Sequence, residues 1–374
     1  MQVVVLGGGN PRQLGLVYKS YSSRSLVPLP GGRLIDHIYG AFEGLGVDVW
    51  FVSDDPNALR YAAERGMRVI EQRGEGISAA IRSVVSRLRA ICSREELVTI
   101  IYGDVYAERE FYRQPIVGAE RGLVPGIVVT VPAYIHERFM RIDVNDVDRT
   151  VIGIGEGGFV YAGASVLRFR DLEEWSRAAD IEGFLRGLRR LYAIEWLGPW
   201  VDMDTPWDYM VAIRLHLDRL RGVYISDTAR VSDRAVIDGP VYVDDSARID
   251  HYAVLKGPVY VGRGCLVGVN AFLRDHAFLA PGAVVGAYTE FKRSTALDAA
   301  YIASHCYIAD SVVGESASVA PFTVTRNIVY DVSRVPESVR ITTSMPLERL
   351  KLGAVITAGA HVEPHATLKP LTIV

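Results

Sequence analysis

From Ile225 onward an aliphatic residue returns every six positions: Ile225, Val231, Ile237, Val243, Ile249, Leu255, Val261, Val267, Leu273, Leu279 and Val285, with Phe291 and Leu297 continuing the series. Four places after an anchor comes a small or compact side chain, as at Ala229, Ala235, Val241, Ala247, Ala253, Val259 and Cys265. A helix repeats at 3.6 and a strand at 2, so neither sustains an unbroken period of six. One short strand and one turn per six residues does, with each anchor pointing into a narrow core. Three such units close a triangular coil, and coils stack about 4.8 Å apart, the spacing of paired strands. The period predicts a parallel β-helix over residues 223–374. The stretch VITAGAHVEPHATLKP resumes it at Ile356, Val362 and Leu368. The preceding VSRVPESVRITTSMPLERLKLG breaks it and is expected to form a loop or short helix on the outside.

Residues 1–222 follow another rule. QVVVLGGG, VDVWFVSDD, MRVIEQ and ELVTIIYGD read as strands buried on both faces, and GRLIDHIYGAFEGLG, PNALRYAAERG and GISAAIRSVVSRLRAIC as helices between them. This is the pattern of an α/β domain with a parallel sheet, whose ligands bind at the carboxyl ends of the strands.

At 374 residues the chain has room for two such domains. A net charge of -3 gives no pull toward nucleic acid or anionic membranes. Of 41 basic residues only Lys19, Lys256, Lys292, Lys351 and Lys369 are lysines, so anion sites would be mostly arginine sites. Cys92, Cys265 and Cys306 are too widely spaced for a disulfide framework or a zinc site. MQVVVLGGGN lacks the charged start and long apolar core of a signal peptide, and no apolar run reaches about 18 residues. A soluble, cytoplasmic protein is expected.

Four signals in the first domain carry chemistry. VVVLGGGNPRQLGL places a glycine turn after the first strand, and glycines let backbone N–H groups approach phosphates. SLVPLPGGRLIDH leads into a helix, and IIYGDVYAE ends an apolar strand at Asp104, where a carboxylate could hold a hard cation. WVDMDTPWDYMVAIRLHL sets Asp202 ahead of a Thr-Pro helix start, which is also ordinary capping chemistry.

In this order the signals resemble the sugar-1-phosphate nucleotidylyltransferases, which implies a Rossmann-like nucleotide-diphospho-sugar transferase domain. The Gly103–Asp104 pair matches that family's Gly-Asp, and Trp200, Asp202, Thr205 and Pro206 match its Trp-x-Asp-x-Gly-Thr-Pro motif. The resemblance implies that Asp104 and Asp202 hold a magnesium ion between an NTP and a sugar-1-phosphate. The family's glycine-loop arginine falls nearest Arg12, and the lysine of its Pro-Lys-Pro-Leu segment is replaced by Arg24. Its Glu-Lys-Pro segment leaves Glu156 without the lysine, and Gly163 fits the sugar-pocket turn. The candidates are therefore Arg12, Arg24, Asp104 and Asp202 for catalysis, with Gly7, Gly8, Gly9, Asn10, Gly76 and Gly103 for the nucleotide. Glu156 and Gly163 are the candidates for the sugar.

Over essentially the whole chain the resemblance extends to archaeal and bacterial bifunctional proteins. These join the transferase to an acetyl-CoA-dependent amino-sugar-1-phosphate N-acetyltransferase on a hexapeptide-repeat β-helix. From that family come the left-handed coil and the homotrimer. Phrases such as GPVYVG, FLRD, TEFKRST, YIADSVVGE and TVTRN carry the match. Arg274, Lys292, Tyr307 and Asn327 fall on its sugar-phosphate positions. Its catalytic histidine lies three residues before the tyrosine, where this chain has Ser304, and His305 is one place late. Ala320-Pro321-Phe322 stands where the family has a small Gly-Ala-Gly that admits the cofactor. Acetyl-CoA is accordingly not expected as a cofactor, and His305 reads as a passenger. The alternatives are a catalytically degenerate binding, regulatory or scaffold subunit, or an active acetyltransferase. The base and the sugar are not legible.

Overall fold

The computed structural model describes residues 1–9, 11–131, 139–331, 333, 335 and 351–374. Asn10 lies outside the described residues, as does most of the insert read as a loop or short helix. The chain divides into two compact units. One comprises Met1–Pro11, Tyr21–Val27 and Arg33–Met203, the other Arg12–Ser20, Pro28–Gly32 and Asp204–Val374.

Along the chain the elements run β1 (Gln2–Leu6), β2 (Pro28–Leu29), β3 (Gly32–Arg33), α1 (Leu34–Gly40), β4 (Asp48–Ser53), α2 (Pro56–Glu64) and β5 (Arg68–Glu71). Next come α3 (Gly76–Leu88), β6 (Leu97–Tyr102), β7 (Val105–Ala107), α4 (Arg109–Glu120), β8 (Gly126–Thr130), β9 (Arg141–Val144) and β10 (Val151–Ile154). Then follow β11 (Phe159–Arg168), α5 (Phe169–Trp175), α6 (Ile181–Gly187), β12 (Tyr192–Trp196), β13 (Trp200–Asp202) and α7 (Pro206–Leu217).

In the first unit β5, β4, β1 and β6 are parallel neighbours in that order. Their apolar runs are buried, as Val3, Val4, Val5, Phe51, Ile100 and Ile101 show, because helices cover such a sheet. The sheet is mixed rather than wholly parallel. The chain returns along β11 antiparallel to β6, and β8 and β9 also pair antiparallel with β11. Because β1 has β4 on one side and β6 on the other, the sheet reverses direction of growth at β1, the place where ligands of such sheets generally bind. Among the described residues no helix is long and apolar enough to cross a membrane.

The second unit carries three parallel sheets of seven short strands each, consistent with a left-handed β-helix. Strands pair with those 18 residues on, as in Val243↔Val261 and Leu255↔Leu273. The anchors Val243, Ile249, Leu255, Val261, Val267 and Leu273 line one continuous core. The period also survives the insert, since Val313 pairs Ile356, Val319 pairs Val362 and Thr325 pairs Leu368.

One anchor differs from the strict period. Leu279 pairs with Ala296, which faces the core where Leu297 was expected. The reason is a corner one residue shorter: Asp275–Ala277 separates Arg274 from Phe278, whereas Arg293–Ser294 alone separates Lys292 from Thr295. The hydrogen-bond ladder is kept, so the inward phase advances by one residue. Subsequent coils keep the shorter repeat, with Ala296↔Val313 and Phe291↔Ile308. The three thiols are free, as their spacing predicts.

Candidate active site

The glycine turn closes the carboxyl end of β1. Gly7 N–H donates to Val52 O at 2.8 Å, and Gly103 N–H donates to Leu6 O at 2.9 Å, so the ladder continues just past both strand ends. A Cβ on Gly103 would overlap Ser25 Oγ and come within 2.9 Å of Leu6 O; one on Gly7 would overlap the Phe51 ring. Only glycine permits that approach. A Cβ on Gly8 would in turn overlap Gln72 Oε1. Gln72 Nε2 donates to Gly74 O at 2.9 Å and to Gly76 O at 3.4 Å, linking Gly76 at the start of α3 to the glycine turn.

The Arg24 segment is stitched to the same strand ends. Ser23 Oγ donates to Gly7 O, and Ser25 Oγ donates to Gly103 O at 2.8 Å. Asp55 accepts from Ser22 N–H at 2.6 Å and Ser23 N–H at 3.1 Å with one oxygen, and caps α2 through Asn57 N–H at 2.8 Å with the other. Burial by itself raises the Asp55 carboxyl, but the N–H groups of Ser22, Ser23, Asn57 and Ala58 outweigh it and hold its pKa below the usual 3.8. A carboxylate lowered on folding contributes stability above its unfolded pKa and loses it as pH falls through the folded value. Asp55→Ala should therefore cost about 2 kcal/mol at neutral pH and flatten the acid side of the stability profile. Urea midpoints at pH 7 and below pH 4 check this; an unchanged profile would count against it.

Asp104, just before β7, and Asp202, which ends β13, lie at the same end of one strand pair. β13 pairs antiparallel with β7, with Asp202 opposite Val105, and Met203 N–H donates to Asp104 O at 3.0 Å. Arg24 Nη2 forms an ion pair with Asp104 Oδ2, and Arg24 Nη1 donates to Met203 O at 3.3 Å. Burial first, then Tyr161, Asp104 and Asp202 among its neighbours, push the Tyr102 hydroxyl well above its ordinary pKa, so it stays neutral. Gly163, at φ +80, packs on Tyr102: a Cβ there would lie 3.1 Å from the Tyr102 side chain and from Val105. Trp200 Nε1 donates to Ala162 O at 3.0 Å.

Arg24, Gly7, Gly8, Gly103, Asp104, Asp202 and Gly163 are thus gathered at the ends of β1, β6 and β13. Glu156 is elsewhere, in a cleft of about 530 Å³ with Arg186, Arg189 and Arg190. Arg12 belongs to the second unit, at φ 51, with its guanidinium paired to Asp204. Thr205 and Pro206 start α7 as expected, Thr205 Oγ1 accepting from Asp208 N–H at 3.2 Å. Gln72, Ser23, Ser25, Asp55 and Tyr102 escaped sequence reasoning. Only Tyr102, directly before the Gly-Asp pair, had a local signal.

The donor set suits a hard cation. Among the described residues no three His, Cys, Asp or Glu side chains are grouped to hold a metal. Asp104 and Asp202 supply two carboxylates, and magnesium is commonly bound by one or two carboxylates plus substrate phosphates.

In the second unit Arg274, Lys292 and Asn327 join one polar network through Asp275, Arg293 and Asp310. Arg274 pairs in register with Lys292, but Tyr307 lies opposite Glu290, and Lys292 faces Ala309, owing to the 17-residue coil. Arg274 donates to Glu290 at 2.8 Å and to Asp275 at 2.7 Å. Lys292 lies 3.8 Å from Asp275, and Asn327 Nδ2 donates to Asp310 at 2.6 Å. Burial, then Arg293 and Arg274, lower the Lys292 pKa. Carboxylates already occupy these cations. His305 sits at a coil corner at φ 61, its ring stacked 5.0 Å from Tyr288 and 5.0 Å from Phe322, with His365 4.9 Å beyond Phe322.

Compared with known proteins, the chain matches the family model described as the MobA-like NTP transferase domain over residues 3–191. No curated protein matches it.

Proposed function

The chain belongs to the MobA-like NTP transferase domain family, and from that membership we propose a magnesium-dependent sugar-1-phosphate nucleotidylyltransferase. The observation that carries this reading is the placement of Asp104 just before β7 and of Asp202 at the end of its partner strand β13, next to Gly103. A sugar-1-phosphate oxygen attacks the α-phosphorus of a nucleoside triphosphate; the new P–O bond forms as the bond to the β-phosphate oxygen breaks, and pyrophosphate leaves. Such a transfer needs in-line positioning and charge neutralisation more than covalent help. The side-chain-free glycine turn lets phosphates approach the backbone, and Arg24 places a permanent positive charge at the end of β6. Asp104 and Asp202 would hold the magnesium, which neutralises charge developing on the phosphates. Gly163 leaves room beside Tyr102 for the sugar, while Glu156, in its own cleft, and Arg12, paired to Asp204 in the second unit, are assigned no part in this step.

For the β-helix we propose a role in assembly, as a homotrimer. Acetyl transfer is not expected, because a base must reach within about 2.6–3.2 Å of the proton it removes, and His305 is engaged in the corner stack.

The test is pyrophosphate release across nucleoside triphosphates and sugar-1-phosphates with Mg2+. Turnover is expected with at least one pair; none across the panel would favour a binding subunit instead. Acetyl-CoA consumption with glucosamine-1-phosphate, abolished by His305→Ala, would reverse the reading of the second unit. Sedimentation of the same preparation should give a trimer, and monomer alone at micromolar concentration would remove the assembly role.

A further inference from the structure

We propose that Arg24 is a built-in occupant of the cation position: its guanidinium holds Asp104 in the free protein and weakens divalent-cation binding there until a polyphosphate draws the guanidinium away. This rests on Asp104 being a metal ligand, as proposed above. Arg24 Nη2 lies on Asp104 Oδ2 while Nη1 reaches Met203 O at 3.3 Å. Met203 directly follows Asp202 and is itself bonded to the Asp104 backbone. The guanidinium therefore spans from one carboxylate to the strand that carries the other.

Burial makes this contact more than a surface pair. The Arg24 and Asp104 side chains are only 13% and 18% exposed, and a carboxylate so placed needs a compensating charge. Arg24 supplies it. A second cation on the same carboxylate would stand within a few ångströms of the first and be repelled. Arginine cannot relieve that repulsion by losing a proton, since its guanidinium stays charged. The backbone need not move for the exchange, because Ser23 and Ser25 fix the segment to Gly7 and Gly103. Only the side chain has to swing. Metal and polyphosphate then strengthen each other's binding, since linkage is reciprocal.

Mn2+ titration of the full chain, followed by electron paramagnetic resonance without nucleotide, tests this directly. Arg24→Gln should bind Mn2+ about tenfold more tightly than wild type, and adding Asp104→Asn should abolish the gain. Arg24→Lys, which keeps the charge, should stay within about threefold of wild type and serves if the glutamine variant fails to fold. Equal Mn2+ affinity for wild type and Arg24→Gln, lost in both on Asp104→Asn, would overturn the role of Arg24 and leave the metal ligand standing. Tightening in Arg24→Lys as large as in Arg24→Gln would also overturn it. Indifference of both wild type and Arg24→Gln to Asp104→Asn would remove the metal assignment itself and this proposal with it.

Discussion

Asp104→Asn is expected to lower pyrophosphate release by on the order of 10²–10³-fold, the scale of losing one preorganised charge at a phosphoryl centre. Asparagine keeps the volume and one acceptor oxygen but removes the negative charge, so the change isolates charge from shape. Asp202→Asn should behave alike, because Asp202 ends β13, Asp104 directly precedes its partner strand β7, and both act on the Tyr102 hydroxyl. The double substitution should lose little more than either single, as groups that hold one ion act as a unit. Steady-state assays on the three variants, at a temperature where each is shown to be folded, provide the measurement. Retention of activity within about threefold in Asp104→Asn would remove this carboxylate from the chemistry.

The second large effect belongs to the coil. Phe291→Ala should destabilise the β-helix by about 3–5 kcal/mol, since the ring is fully buried and a narrow core cannot collapse around the hole. Its strand pairs with Leu273 before it and Ile308 after it, both inward-facing. Each coil leans only on its neighbours, so the loss should spread to adjoining turns before the rest of the chain responds. His305→Ala, on the exposed corner, should cost about 1 kcal/mol or less, the worth of ring stacking. Urea unfolding followed by hydrogen exchange of the coil amides separates the two. Equal midpoints for Phe291→Ala and wild type would contradict the assigned inward register.

The sequence by itself determined what repeats or sits next in line. A period of six can be met by a three-sided coil because each anchor's direction follows from local strand geometry, so Val243, Leu255 and Leu273 were legible as core. The same locality made the Gly103–Asp104 strand end and the Thr205–Pro206 helix start readable. The inward choice between Ala296 and Leu297 was not readable, because both are apolar and only stacking on Leu279 decides which one faces the core. Nor was the position of Tyr307, which the shortened corner sets opposite Glu290. The burial of Asp104 against Arg24, eighty residues earlier, and the seating of Ser23, Ser25 and Asp55 beneath that contact are likewise tertiary facts. Charges and hydroxyls find partners by proximity in the folded chain, and sequence spacing carries no record of which carboxylate a long, flexible arginine will reach.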